Sequence, residues 1–130
     1  MASLSDKDAV CLHESVARGH HSYKRVWSPT VGEVLQLSRE EGNAHDRFAV
    51  CLVKGEVVVD HVPRELSRKI WHFLRHCGRA TCEVTGRRKF GKGLEVPCVY
   101  HFEGKQHIVK RLEGLLERTC QPTDSIGHPG

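Results

Sequence analysis

The segment Arg39-Glu40-Glu41-Gly42-Asn43-Ala44-His45-Asp46-Arg47-Phe48 gathers side chains that can shape a loop and meet a ligand. Asn43 and Asp46 are turn formers whose short polar side chains bond nearby backbone. At the least they shape a polar loop entering the strand that starts at Phe48. His45 adds a flat ring suited to stacking on a nucleobase. Asp46 adds a pure acceptor, better matched to a sugar hydroxyl than to a phosphate. A second group is His72, His76, Cys77 and Cys82, whose types could close a tetrahedral zinc site. Both cysteines, however, fit an apolar pattern and both histidines fit a polar face. The C-x4-C spacing is also looser than a zinc knuckle, so a core cysteine pair beside solvated histidines is the reading, with no metal and no cofactor. No Gly-x-Ser-x-Gly elbow, His-Glu-x-x-His pair or phosphate loop is present. With ten histidines and six cysteines, any Cys/His pairing is uninformative, and the expectation is a non-enzymatic protein.

Charge is distributed unevenly. Between His61 and Gly93 lie Arg64, Arg68, Lys69, Arg75, Arg79, Arg87, Arg88, Lys89 and Lys92 against Glu65 and Glu83, so 9 − 2 gives +7. Further positive charge sits in the Arg18–Arg25 loop, while acids gather at the N-terminus and at Glu33, Glu40 and Glu41. Such a field attracts phosphates and makes binding salt-dependent. A solvated helix face accounts for part of it equally well.

The elements that must position these groups can be read from periodicity. Residues 1–8 read as a flexible N-terminus. A strand over 9–17 offers Val10, Leu12 and Val16 as core positions, and a basic, aromatic loop over 18–30 follows. Residues 31–38 read as a strand, 39–47 as the polar loop, and 48–53 with 56–62 as a hairpin turning at Lys54-Gly55. Pro63 opens a helix, where its missing N–H costs nothing. Leu66, Ile70, Phe73, Leu74 and Cys77 share one helical face, and Gly78 is the expected cap. Residues 79–85 alternate with Ala80, Cys82 and Val84 inward. Residues 86–93 form a basic glycine-rich loop. Residues 94–102 alternate with Leu94, Val96, Cys98, Tyr100 and Phe102 on one face, and Pro97 suggests an edge strand or bulge. An amphipathic helix over 105–118 carries Ile108, Val109, Leu112, Leu115 and Leu116, and 119–130 reads as a disordered tail. About six strands and two helices predict a mainly β protein built as a small barrel or strongly curved sheet, since closure removes open edges.

Length and composition agree with one folded domain, expected over 9–118. The chain has 130 residues and a net charge of +4. Its longest aliphatic run is Val57-Val58-Val59, far below the roughly 20 residues of a membrane span. Met1–Val10 lacks the basic-then-apolar pattern of a secretory signal. The six cysteines therefore read as reduced, buried thiols rather than a disulfide framework.

The sequence resembles the HIRAN domain family. The residues that carry the resemblance are Gly32-Glu33-Val34-Leu35-Gln36-Leu37-Ser38-Arg39-Glu40, then Asn43-x-x-Asp46-x-x-Ala49-Val50, then Val59-Asp60-His61-Val62-Pro63, with Leu94-Glu95-Val96-Pro97 later in the chain. The resemblance covers roughly residues 9–118. It implies an OB-like β-barrel with added helices that binds single-stranded DNA and captures its free 3′-hydroxyl end. By position, Asp46 matches the acceptor for the terminal hydroxyl, and His45 the aromatic that stacks on the terminal base. His61 and Arg64 match the residues that hold phosphates. An Arg-Tyr pair in the first loop falls within Tyr23-Lys24-Arg25. Leu94 matches a late-strand aromatic, so that stacking partner is absent. Glu41 replaces a frequent proline. Asp60 replaces a usual glycine, and its carboxylate would oppose phosphate unless it pairs with Arg64. Base–aromatic stacking is worth about 1–3 kcal/mol per base, so His45 and Leu94 imply a weaker clamp. The implied partners are single-stranded DNA or DNA 3′ ends and proteins of DNA repair or replication at the fork, with no membrane. The implied location is the nucleus, and also the cytoplasm. The alternative is a protein-interaction or adaptor domain that keeps the HIRAN fold without a working end pocket.

Overall fold

Apolar residues at every second position over Leu94–Phe102 signal a strand, and that strand organises the protein. The computed structural model describes residues 7–19, 27–91 and 93–126, with side chains through Arg118. Its elements are β1 (Asp8–Arg18), β2 (Val34–Arg39), β3 (Val50–Lys54), β4 (Val57–His61), α1 (Arg64–Arg75), β5 (Arg79–Val84), β6 (Lys89–Gly91), β7 (Gly93–Lys105) and α2 (Gln106–Ile126). The strands hydrogen-bond in the order β1-β4-β3-β2-β5-β7-β6, and β1 also pairs with β7. All pairings are antiparallel. The result is a closed, uneven ring with two helices, the small OB-like barrel that the alternation predicts.

Closure is lopsided. β1 runs beside β7 from Asp8↔Lys105 to Arg18↔Glu95, yet it meets β4 only at Arg18↔His61. The inward face of β7 holds Leu94, Val96, Cys98, Tyr100 and Phe102, all buried as expected. Ala80, Cys82 and Val84 of β5 are buried opposite them. Phe73 of α1 meets Phe102 edge-on, with centroids 5.6 Å apart, a preferred aromatic geometry. The Tyr100 hydroxyl donates to the Val16 carbonyl at 2.7 Å, so the largest buried polar side chain of β7 leaves no orphan donor.

Several expectations require correction. The core residues of β1 are Cys11 and Ala17, whereas Val10 and Leu12 are 64% and 60% exposed. Pairing Cys11 with Phe102 fixes the strand's phase, and a period of two then turns Val10 and Leu12 outward. β7 is not an edge strand, because β1 flanks it on one side and β5 and β6 on the other. Pro97 stands opposite Thr85, just past the stretch paired to β5; its carbonyl accepts the Thr85 N–H, but it has no N–H to return, so that rung is half-made and the β5–β7 ladder ends there. β6 is a seventh strand inside the segment expected as a loop. α2 has helical backbone from Gln106 through Ile126, longer than the helix expected over 105–118, and Gly127 follows its last helical residue in the sequence. Among the described residues no helix is long and apolar enough to cross a membrane.

The end of α1 also differs in detail. Gly78 N–H bonds the Phe73 carbonyl and Cys77 N–H bonds the Leu74 carbonyl, the double closure that ends many helices with a left-handed residue. That residue is Cys77, with φ 71°, and it is exposed rather than in the core. Gly78 has another duty. A Cβ there would lie 2.4 Å from the Phe73 ring. Cys11, Cys51, Cys82 and Cys98 are buried free thiols, and Cys120 lies outside the described side chains.

Asp60 is fully buried on β4, with Oδ1 accepting the His61 N–H at 2.9 Å and Oδ2 without a partner. Burial pushes its carboxyl up to about 8, against the one backbone hydrogen bond that lowers it. The unfolded chain ionises this group near pH 4, so the folded state binds the extra proton between ~4 and ~8. Stability from Asp60 is therefore greatest below ~4, falls as pH rises towards ~8, and levels off above it. The slope is at most about 1.4 kcal/mol per pH unit. Urea unfolding across that range should show Asp60→Asn losing this slope relative to the wild type. Parallel profiles for the two proteins would refute it. At the helix end, Cys77→Gly should stabilise by about 1 kcal/mol by relieving the left-handed strain. Gly78→Ala should destabilise clearly, because the Phe73 ring must move. Equal unfolding midpoints for all three proteins would contradict both statements.

Candidate nucleic-acid interface

The loop between β2 and β3 is built on Asn43. Its Oδ1 accepts the backbone N–H of His45 at 2.8 Å and of Asp46 at 3.0 Å. Its Nδ2 donates to Glu40 Oε1 at 3.0 Å. One amide side chain thus fixes the turn and ties it to the end of β2. Asp46 continues the pattern, with Oδ1 accepting the Phe48 N–H at 3.0 Å. Its Oδ2 lies 3.6 Å from Arg64 Nε. Arg64, in the first turn of α1, also donates from Nη2 to the His45 carbonyl at 2.7 Å. The helix start and the loop are therefore clamped together across the mouth of a pocket.

That pocket encloses about 230 Å³ and is lined by Asn43, His45, Asp46, Ala49, Val50, His61, Val62 and Arg64. Four of the sequence-expected residues, His45, Asp46, His61 and Arg64, meet there. His45 is exposed on the loop and Asp46 is partly buried. His61 Nε2 lies 2.7 Å from Glu40 Oε1. Burial would push the Glu40 carboxyl up, but hydrogen bonds from His61 and Asn43 hold it below its ordinary value. Glu40 is then ionised and accepts only, which puts a proton on His61 Nε2.

Asp60 does not enter the pocket. Strand alternation turns it inward while His61 faces out, so Arg64 pairs with Asp46 rather than with Asp60. The expected repulsion of phosphate by Asp60 is thereby removed. Leu94 also stays out of the pocket. It is 9% exposed on β7 and does not line the pocket. Tyr23, Lys24 and Arg25 lie outside the described residues. The next described residue, Trp27, is buried, and its Nε1 donates to the Glu33 carboxylate.

Sequence reasoning missed Phe90. It pairs across β6–β7 with Leu94 and is 86% exposed. Its signal was a lone aromatic among Arg87, Arg88, Lys89 and Lys92, the composition of a single-strand-binding surface. The β6–β7 hairpin connects to the pocket through Glu95, which opposes Lys89 and binds Arg18 Nε at 2.8 Å, and Arg18 in turn pairs with His61. Cys77 and Cys82 differ in burial, and among the described residues no group of three or more His, Cys, Asp or Glu is placed to hold a metal ion.

Neither a family model nor a curated protein matches the chain. Solved structures do. The HIRAN domain of human HLTF superposes with a TM-score of 0.69 at 18% identity, over 86% of this chain and 92% of that one. A protein from Lactobacillus plantarum superposes with a TM-score of 0.57 at 15% identity, over 75% of this chain and 99% of that one. The likeness is one of fold, and the chain is a HIRAN-like domain.

Proposed function

We propose that this protein is a non-enzymatic DNA-binding module that holds single-stranded DNA by its free 3′-hydroxyl end. The observation that carries this reading is the Asp46 carboxylate on the wall of a small pocket, with the residue's backbone N–H fixed by Asn43, Oδ1 accepting the Phe48 N–H, and Arg64 facing Oδ2. A carboxylate accepts and does not donate, so it selects a hydroxyl and rejects a phosphate at the same spot. His45 offers its ring to the terminal base. His61, backed by the Glu40 counter-charge, and Arg64 face the preceding phosphates. Phe90 on the β6–β7 hairpin offers the stacking surface that Leu94 does not, and Arg87, Arg88 and Lys89 draw the backbone towards it.

Fluorescence anisotropy at low salt tests this with short single strands ending in a 3′-hydroxyl or a 3′-phosphate. The free hydroxyl should bind more tightly, and Asp46→Ala should erase the preference at a cost of about 1.5–3 kcal/mol. Equal binding of both ends by the wild type would refute end recognition. Phe90→Ala should weaken the hydroxyl-ended strand by about 1–3 kcal/mol while keeping the end preference. Unchanged affinity would remove Phe90 from the interface.

A further inference from the structure

A second concavity lies between α1 and α2, apart from the pocket at the barrel rim. It encloses about 330 Å³ and is lined by Arg68, Lys69, His72, Phe73, His76, Ile108, Arg111, Leu112 and Leu115. Its composition divides cleanly. Phe73, Ile108, Leu112 and Leu115 make an apolar floor, and all five polar lining residues are basic or histidine. No acid lines it. Among the described residues, no carboxylate lies within ion-pair distance of Arg68, Lys69, Arg75 or Arg111.

The nearby acids are turned elsewhere. Glu65 of α1 binds Arg18 at 2.7 Å. Glu113 and Glu117 of α2 lie near Cys11 of β1, whose thiol is pushed up by burial and then by their charges. Lys69 Nζ donates to the Glu65 backbone carbonyl at 3.2 Å, and the Arg68 guanidinium lies over the Phe48 ring at 4.9 Å. His72 registers the resulting field. Slight burial and then the charges of Arg68, His76, Arg75 and Arg111 pull its pKa down.

From this we infer that the α1–α2 groove docks an acidic peptide segment of a protein partner, one large apolar side chain of which seats on Phe73, Ile108, Leu112 and Leu115 while flanking carboxylates meet Arg68, Lys69 and Arg111. Charge complementarity selects an acidic occupant, since unpaired cations at a partly apolar rim gain most from carboxylates they can bond directly. The apolar floor selects a peptide over a nucleic-acid backbone. Phosphates gain nothing from covering it, whereas a buried Leu, Phe or Trp gains about 25 cal/mol per Å² removed from water. Helix-lined grooves commonly take such anchors.

The full chain tests this with three fluorescein-labelled peptide sets. One has Leu, Phe or Trp at the centre between Asp and Glu flanks, one has Lys flanks, and one has Ala at the centre. Acid-flanked, apolar-centred peptides should bind, with amide shifts confined to α1 and α2 in the NMR spectrum of the labelled protein. The Lys-flanked and Ala-centred sets should bind at least about tenfold more weakly. Arg111→Glu and Leu115→Asp should each weaken the acidic set about tenfold, and Arg111→Glu serves alone if Leu115→Asp does not fold. Asp46→Ala, which disables the end pocket, should leave peptide binding unchanged, so failure of the two readings can be told apart. No binding by any set up to about 1 mM, equal binding of acid- and Lys-flanked sets, or displacement of the peptide by a short DNA duplex that shifts the same amides would each overturn the inference.

Discussion

Arg18 is the residue where three elements meet, and the pocket depends on that meeting. Its backbone supplies the single pairing between β1 and β4. Its guanidinium binds Glu95 of β7 at 2.8 Å and Glu65 of α1 at 2.7 Å. Burial disfavours the Arg18 charge, but these two carboxylates more than offset it and raise the pKa. An ion pair between exposed groups contributes little. This one is partly buried, bridges two carboxylates and stands where the ladder has one rung. Its main consequence is geometric. It fixes where β4 ends, and hence where His61 and the start of α1 lie.

From that junction the site follows by short steps. His61 is the last residue of β4, and Val62 N–H returns to the Val50 carbonyl. Pro63 then opens α1 without a side-chain cap, its carbonyl accepting the Leu66 and Ser67 N–H groups. The first turn of α1 delivers Arg64 to the His45 carbonyl and to the neighbourhood of Asp46. The Asn43 loop comes from the other side, anchored by Glu40, which also binds His61. Glu40 and Arg64 therefore join the loop to β4 and to α1 from opposite ends. A preorganised acceptor such as Asp46 needs that support, because a loose carboxylate would discriminate poorly between a hydroxyl and a phosphate.

Much of this was legible in the chain itself, for reasons that differ by residue. Leu94, Val96, Cys98, Tyr100 and Phe102 fall at every second position, so the buried face of β7 could be read from spacing, although Pro97 suggested an edge that β1 covers. Asn43 and Asp46 announce a side-chain-built turn through their types alone. β1 was misread because its inward residues are small, Cys11 and Ala17, while Val10 and Leu12 point outward. Only pairing with β7 settles that phase. Cys77 matched the helical period but sits one residue past the cap, where the left-handed turn rotates it into solvent. Phe90 was hidden by the glycines around it, which suggested a loop. Its exposure became visible only once β6 folded back on β7.

Asp60 shows how one inward position changes the chemistry next to it. A carboxyl with one oxygen orphaned in the core is costly when ionised, and its only hydrogen bond is to the N–H of His61. Gly19 passes close by, with a Cβ there lying 3.5 Å from Asp60 Oδ1. Asp60 therefore sits under the Arg18–His61 closure. Ionising it would put negative charge beneath the one rung that joins β1 to β4. The same charge would lie on the core side of His61, whose outer side already has Glu40. A residue that never reaches the pocket thus bears on the backbone from which the pocket's histidine projects, through a single hydrogen bond to the His61 N–H.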